Sequence, residues 1–219
     1  MSTLKNDELR RTLLEERLIG YLDPCAESYL MKLNGPFIRT TSSCTGRITI
    51  VEGEWHWLRD SARIVFKTHS KISIYQLASA LAKPFDNLWL KVTGPIIHAR
   101  VYGVETVRQL MLAAREAGFK HSGIMYIEAD GKEFVVEMLS AVQLSMPLRS
   151  QGLWMVRPDS LSSIVDMANS ALEEGWRRLA KLSELAMKVQ ASLISQGSSY
   201  MQGEDERLHN PSGKGPCSS

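Results

Sequence analysis

At 219 residues, with 44% hydrophobic and 23% charged side chains, the chain has the length and the composition of a globular protein with its own core. No apolar run reaches the length of a membrane-spanning helix, and the opening M-S-T-L-K-N-D-E-L-R-R is too polar for a secretory signal, so the expected location is cytoplasmic with no membrane partner. The net charge of +2 hides an asymmetry: residues 39–120 carry 12 Lys/Arg against 6 Asp/Glu, and the rest carries 14 against 18, a basic middle that suits a polyanion such as RNA if the charges cluster in space.

Asn6 to Leu22 repeats Leu9, Leu13, Leu14 and Leu18 at helical spacing and is ended by Asp23-Pro24. A short helix over Ala26–Leu33 follows, closed by Asn34-Gly35-Pro36. Phe37 to Val51 reads as strand, with a run of small polar residues at its centre, and Trp55–Leu58 and Arg63–Lys67 read as further strands. Ser73–Leu81 returns to helical period with Ser73 as cap. Leu88–Val92 and Ile96–Tyr102 are strands on either side of Gly94-Pro95. Val104–Ala117 is an amphipathic helix with Gly118 as its C-cap. Ser122–Ile127 and Phe134–Met138 form a hairpin about Asp130-Gly131, with another strand near Val142–Pro147. After Leu153–Val156, Pro158 opens a long helix to Ser192, which Gly175 interrupts at a cost.

The expected fold is α+β: a mixed sheet core from strand–helix–strand units, helices at both ends, and no Rossmann arrangement. Residues 1–194 are expected to form one catalytic domain, and 195–219, poor in apolar side chains, a disordered tail. Arg63–Ala82 and Ile96–Gly118 both run strand then helix, a weak hint of duplication.

Chemistry concentrates in Thr40–Arg47 (T-T-S-S-C-T-G-R). Thr40, Ser42 and Ser43 offer hydroxyls, Cys44 a thiol, Gly46 a flexible backbone and Arg47 a planar fork for carboxylate or phosphate. The plainer reading is a threonine-rich edge strand with a glycine bulge. His69 and His98 are the candidate proton acceptors, since imidazole titrates near neutrality. Lys120, Ser122 and Gly123 form a loop able to hold a ligand, and Trp55 and Trp57 are able to stack on bases. Cys25, Cys44 and Cys217 lack zinc or disulfide spacing, so no metal is expected. There is no G-x-G-x-x-G after the first strand, no P-loop and no G-x-S-x-G elbow.

The ordered set T-T-S-S-C-T-G-R (40–47), W-H-W (55–57), His69, K-V-T-G-P-I-I-H-A (91–99), A-G-F-K-H-S-G-I (117–124) and M-P-L (146–148) resembles the tRNA wybutosine-synthesising N4-methyltransferases over residues 4–190. Thr40 and Thr45 stand where that family carries serine, and Lys120 where it carries arginine. Near Met138–Ala141 a basic residue is missing. The resemblance implies S-adenosylmethionine as methyl donor and N4 of a demethylwyosine derivative at position 37, in the anticodon loop of tRNA(Phe), as acceptor. Ser42, Ser43 and Arg47 would then hold the donor's amino-acid end or the base's carboxylate, and Cys44 would pack rather than react. Two other readings stay open at this point: a non-enzymatic RNA-binding protein, and a small-molecule enzyme with a carboxylate pocket at Arg47.

Overall fold

The computed structural model describes residues 2–20, 22–23, 26–58 and 60–208, with side chains placed from residue 9 to residue 195. Its elements, in chain order, are α1 (Ser2–Leu18), α2 (Ala26–Leu33), β1 (Ile38–Cys44), β2 (Arg47–Glu52), β3 (Arg63–Thr68), α3 (Ile74–Leu81), β4 (Leu88–Thr93) and β5 (Ile96–Tyr102). Then come α4 (Val104–Glu116), β6 (Gly123–Ile127), β7 (Glu133–Leu139), β8 (Gln143–Ser150), β9 (Leu153–Trp154) and α5 (Leu161–Leu208), the last entered through a 3-10 turn at Pro158–Ser160. Ser73 caps α3 through a reciprocal pair with Gln76, satisfying donors that the first helical turn leaves free.

Two sheets form, ordered β1-β5-β7-β6 and β3-β2-β4-β8-β9, with every neighbouring pair antiparallel. The strand–helix–strand units are real but split. In β3-α3-β4 the inserted strand is β2, and in β5-α4-β6 it is β7. In the first unit the inserted strand precedes the unit in the chain, and in the second it follows, so the two are not a simple duplication. The fold is α+β, and no parallel neighbour exists among the described strands to carry a Rossmann crossover.

The two sheets share three strand paths. The chain crosses from β1 into β2 at Thr45-Gly46, from β4 into β5 at Gly94-Pro95, and from β7 into β8 at Ser140–Val142. The crossings are stitched together: Gly94 N–H donates to Val142 O at 2.8 Å, and Ser140 N–H to Pro95 O at 3.0 Å. Side-chain bulk is excluded there. A Cβ on Gly94 would lie 2.9 Å from Ser140 Oγ, and Gly46 turns with φ +103°. This line is a crease, and it is what divides the expected Phe37–Val51 strand into β1 and β2.

Each sheet buries one face. Ile97, Ala99, Val101, Val136 and Met138 pack with α2, α4 and the later part of α5, including Leu179, Leu182 and Ala186. Ile48, Ile50, Leu90, Val92 and Leu148 pack with α3 and the earlier part of α5, including Ile164, Val165, Ala168 and Leu172. One helix thus serves both cores and crosses the crease at Gly175, where an added Cβ would come within 2.9 Å of Pro95 Cδ. The opposite face of the creased sheet is covered by no helix among the described residues.

Some expectations are corrected. Trp55–Leu58 is bend and turn, not strand, because its aromatic rings pack on one another and on Trp89 rather than alternating across a ladder. The C-cap of α4 is Ala117, and Gly118 follows it with φ +91°. Helix α5 continues past Ser192 to Leu208, since extending a formed helix adds a hydrogen bond for each residue fixed. The remainder of the expected tail, 209–219, lies outside the described residues. No helix of the described residues is long and apolar enough to cross a membrane.

Gly175→Ala tests the crossing. Helix propensity alone would raise stability by about 1 kcal/mol. The contact with Pro95 predicts the reverse, a loss of about 1–3 kcal/mol in denaturant unfolding. A stabilised variant would refute the close approach.

Candidate active site on the open face of the creased sheet

Strand alternation decides which residues reach the open face. On β1 a bulge intervenes: Thr40 pairs with Ala99, but Ser42, not Thr41, pairs with His98. The extra residue shifts the parity of the strand, so Ser42 and Cys44 join the face of His98 and Ser43 falls on the opposite one. The expected edge strand and bulge are both present, and the bulge, placed at Thr41 rather than at a glycine, is what carries Ser42 to the site.

A row of side chains crosses three strands. Ser42 Oγ lies 2.8 Å from His98 Nδ1, and His98 Nε2 lies 3.0 Å from Glu137 Oε1. Gly123 stands opposite Glu137 on β6, and a Cβ added to it would meet nothing within 4 Å. The next row toward the crease is Cys44, Ile96 and Leu139. Leu139 falls within the stretch where the expected basic residue is missing.

The second histidine works at the crease. His69 Nδ1 is 2.8 Å from Gly46 O, a distance between nitrogen and carbonyl that requires the ring proton on Nδ1. It is also 3.3 Å from Asp23 Oδ2, which accepts from Thr45 N–H at 2.7 Å and from Thr45 Oγ1 at 3.0 Å. Asp23, Cys44 and His69 bring one ligand atom each within 4.8 Å of one another. In this arrangement Nδ1 donates its proton to Gly46 O, and Asp23, Thr45 and His69 form a hydrogen-bonded clasp across the crease. Burial pushes the Cys44 thiol above its ordinary value, Asp23 pushes the same way, and Arg47 and Lys67 offset part of this.

Beyond the crease the open face is cationic. Lys67, Thr49, Lys91 and Ser145 lie side by side across β3, β2, β4 and β8, with Arg47 two residues from Thr49 on the same side. No ion pair to Arg47, Lys67 or Lys91 occurs among the described residues, whereas Arg63, Arg100 and Arg108 are paired. Desolvation, and then Arg47, lower the Lys91 pKa. An aromatic wall adjoins: Trp55 and Trp57 stack at 4.8 Å and 21°, and remain 42% and 58% exposed. His56 sits edge-on to Trp57 and Trp89, with a buried Nδ1 that has no partner among the described residues; desolvation, then Lys91, depress its pKa.

The remaining expected site residues divide. Thr40 is tied to Asn34, accepting from Nδ2 at 2.7 Å and donating its N–H to Oδ1 at 2.8 Å, which fixes the entry to β1. Ser122 latches its loop, donating to Phe119 O at 2.7 Å and accepting from Leu139 N at 3.3 Å. Lys120 lines a cavity of about 340 Å³ with Arg177, Arg178 and Lys181, on the helix side of the sheet. Asp23, Glu137, Lys67 and Lys91 escaped sequence reasoning. Of these, Lys91 alternates with buried Leu90 and Val92 on β4 and opens the K-V-T-G-P-I-I-H-A stretch, a signal that could have found it.

The profile of the TYW3 methyltransferase family matches residues 3–188. The chain belongs to the TYW3 methyltransferase family. The enzyme is 50% identical over 167 residues to the Aeropyrum pernix tRNA(Phe) 7-((3-amino-3-carboxypropyl)-4-demethylwyosine(37)-N(4))-methyltransferase, covering 76% of this chain and 88% of the relative. It is 34% identical to the Saccharolobus solfataricus protein of the same name, over 94% and 98% of the two chains. A solved structure of a hypothetical Aeropyrum pernix protein matches with TM-score 0.71 and 43% identity, over 76% and 98% of the two chains. That of PH1069 from Pyrococcus horikoshii matches with TM-score 0.72 and 28% identity, over 83% and 94%. Family membership sets aside both the non-enzymatic and the small-molecule reading.

A half-buried thiol with a raised pKa is a poor nucleophile at neutral pH. Cys44→Ala is therefore expected to keep methyl transfer within about threefold of the unsubstituted enzyme, because transfer to nitrogen needs no covalent intermediate. A loss beyond about a hundredfold with unchanged thermal midpoint would make Cys44 a reactant.

Proposed function

We propose that the enzyme transfers a methyl group from S-adenosylmethionine to N4 of a demethylwyosine derivative at position 37 of tRNA(Phe), in the cytoplasm, using residues 1–194 as one catalytic domain. The observation that carries this reading is the open face itself. It combines two histidines held in defined orientations, three cations without ion partners among the described residues, and an exposed tryptophan stack. The names of the curated relatives supply the acceptor base.

The donor set fits both reactants. Arg47, with Lys67 and Lys91 beside it, can take a carboxylate, which the donor's amino-acid end and the aminocarboxypropyl group of the base both carry. Ser42 lies on the same face, its hydroxyl directed to His98. Trp55 and Trp57 offer flat apolar surface for an unstacked tricyclic base or its anticodon-loop neighbours. When bound, S-adenosylmethionine supplies a methyl group on an already activated sulfonium. The protein's share is alignment and removal of the proton from the acceptor nitrogen. His98 and His69 each bring an imidazole to this face that can serve as the proton's destination. Gly123, by carrying no side chain opposite Glu137, keeps the approach to that row open. The phosphates of the loop meet the same basic middle, so affinity falls as salt rises.

Labelled methyl transfer to tRNA(Phe) lacking this methyl group tests the reading. Incorporation is expected with that tRNA and not with other tRNAs, and none at all would refute it. Arg47→Ala is expected to lower kcat/KM by about 10–100-fold, the cost of one charge-assisted contact, with the unfolding midpoint nearly unchanged. Equal loss of activity and stability would return Arg47 to a structural role.

A further inference from the structure

We propose that Glu137 is a positioning residue which makes Ser42 the group that takes the proton from the acceptor nitrogen, with His98 as the proton's destination. The proposal rests on the methyl-transfer reading above and deepens it.

The argument is one of donors and acceptors. A carboxylate only accepts hydrogen bonds, so the 3.0 Å contact between His98 Nε2 and Glu137 Oε1 requires the proton on Nε2. In the neutral ring Nδ1 is then a lone pair. The 2.8 Å contact with Ser42 Oγ runs as a hydroxyl donating to that lone pair. Ser42 commits its only proton to the ring and keeps its oxygen lone pairs for whatever lies above the sheet, where the residue is exposed. The backbone fixes the line independently, because Ser42, His98 and Glu137 are cross-strand partners on β1, β5 and β7.

Among the described residues, the neighbouring acceptors are already engaged. On the same face, Arg100 of β5 is occupied by Glu128 and Glu133, Arg39 of β1 pairs in register with Arg100, and the row toward the crease is Cys44, Ile96 and Leu139. His69 is used differently: its Nδ1 proton fastens Gly46 O and Asp23 across the crease.

The step balances. The acceptor nitrogen forms its bond to the methyl carbon while the bond from that carbon to sulfur breaks, the electron pair staying on sulfur. The nitrogen's proton passes to Ser42 Oγ as the Ser42 proton passes to His98 Nδ1. The ring is left as an imidazolium whose Nε2–H still faces the Glu137 carboxylate, which stabilises the charge.

Two measurements on Glu137→Gln test this, one of them independent of turnover. Nitrogen-15 NMR of the histidine ring is expected to show His98 in the Nε2–H tautomer in the unsubstituted enzyme and a mixture of tautomers in the variant. Methyl transfer is expected to lose at least tenfold in kcat with KM within threefold, and Ser42→Ala to lose a similar factor. A His98 ring protonated on Nδ1 in the unsubstituted enzyme overturns the assignment. A variant with kcat within twofold of the unsubstituted enzyme overturns the positioning role alone. Absence of any incorporation by the unsubstituted enzyme refutes the methyl-transfer reading, and the role of Glu137 with it.

Discussion

The contact of Gly175 with the Gly94-Pro95 crossing governs the molecule. A 48-residue helix buries Ile164, Val165, Ala168 and Leu172 against one sheet and Leu179, Leu182 and Ala186 against the other. Each leucine-sized side chain buried this way contributes about 1.5–3 kcal/mol, so both cores draw on the same rod. The rod can lie across the crease only where it carries no side chain. A glycine that lowers helix propensity thereby lets two cores share one support, which leaves the other face of the sheet uncovered.

That uncovered face owes its chemistry to two local departures from regular strand. The bulge at Thr41 turns Ser42 toward His98, and without it the hydroxyl would point at the helices. The left-handed turn at Gly46 lets β1 leave one sheet and enter the next while its carbonyl stays exposed to His69. Neither departure stabilises a ladder by itself. Both are held by neighbours, the first by the Asn34–Thr40 clip and the second by the Asp23–Thr45–His69 clasp.

Much of this was legible from residues alone. Helix α4 and strands β4 and β5 could be located because their buried positions recur with the period of the element, and Asp130-Gly131 marked a turn whose glycine has φ +68°. The end of α5 was not legible, since the composition of 195–208 signals the lack of a core, and a helix already anchored upstream needs none. Trp55–Leu58 misled because aromatic residues favour strands and clusters alike. At the candidate site, Ser42, Arg47, His69 and His98 stood out in the sequence by side-chain chemistry, and the fold brings them to one face. Their partners were not, for Asp23 and Glu137 lie 46 and 39 residues from the histidines they serve, and only strand register and the crease bring them together. Lys120 stands two residues before Ser122 in the chain but lines a cavity with Arg177, Arg178 and Lys181 on the far side of the sheet.

The crease also sets a length scale. His98 and its row belong to one sheet, whereas Arg47, Lys67, Lys91 and the tryptophans belong to the other. The spacing between the His98 row and the cations of the other sheet is therefore set by the backbone crossings at Gly46, Gly94 and Ser140. A change at those crossings would move the two sets of side chains relative to one another while leaving each set intact.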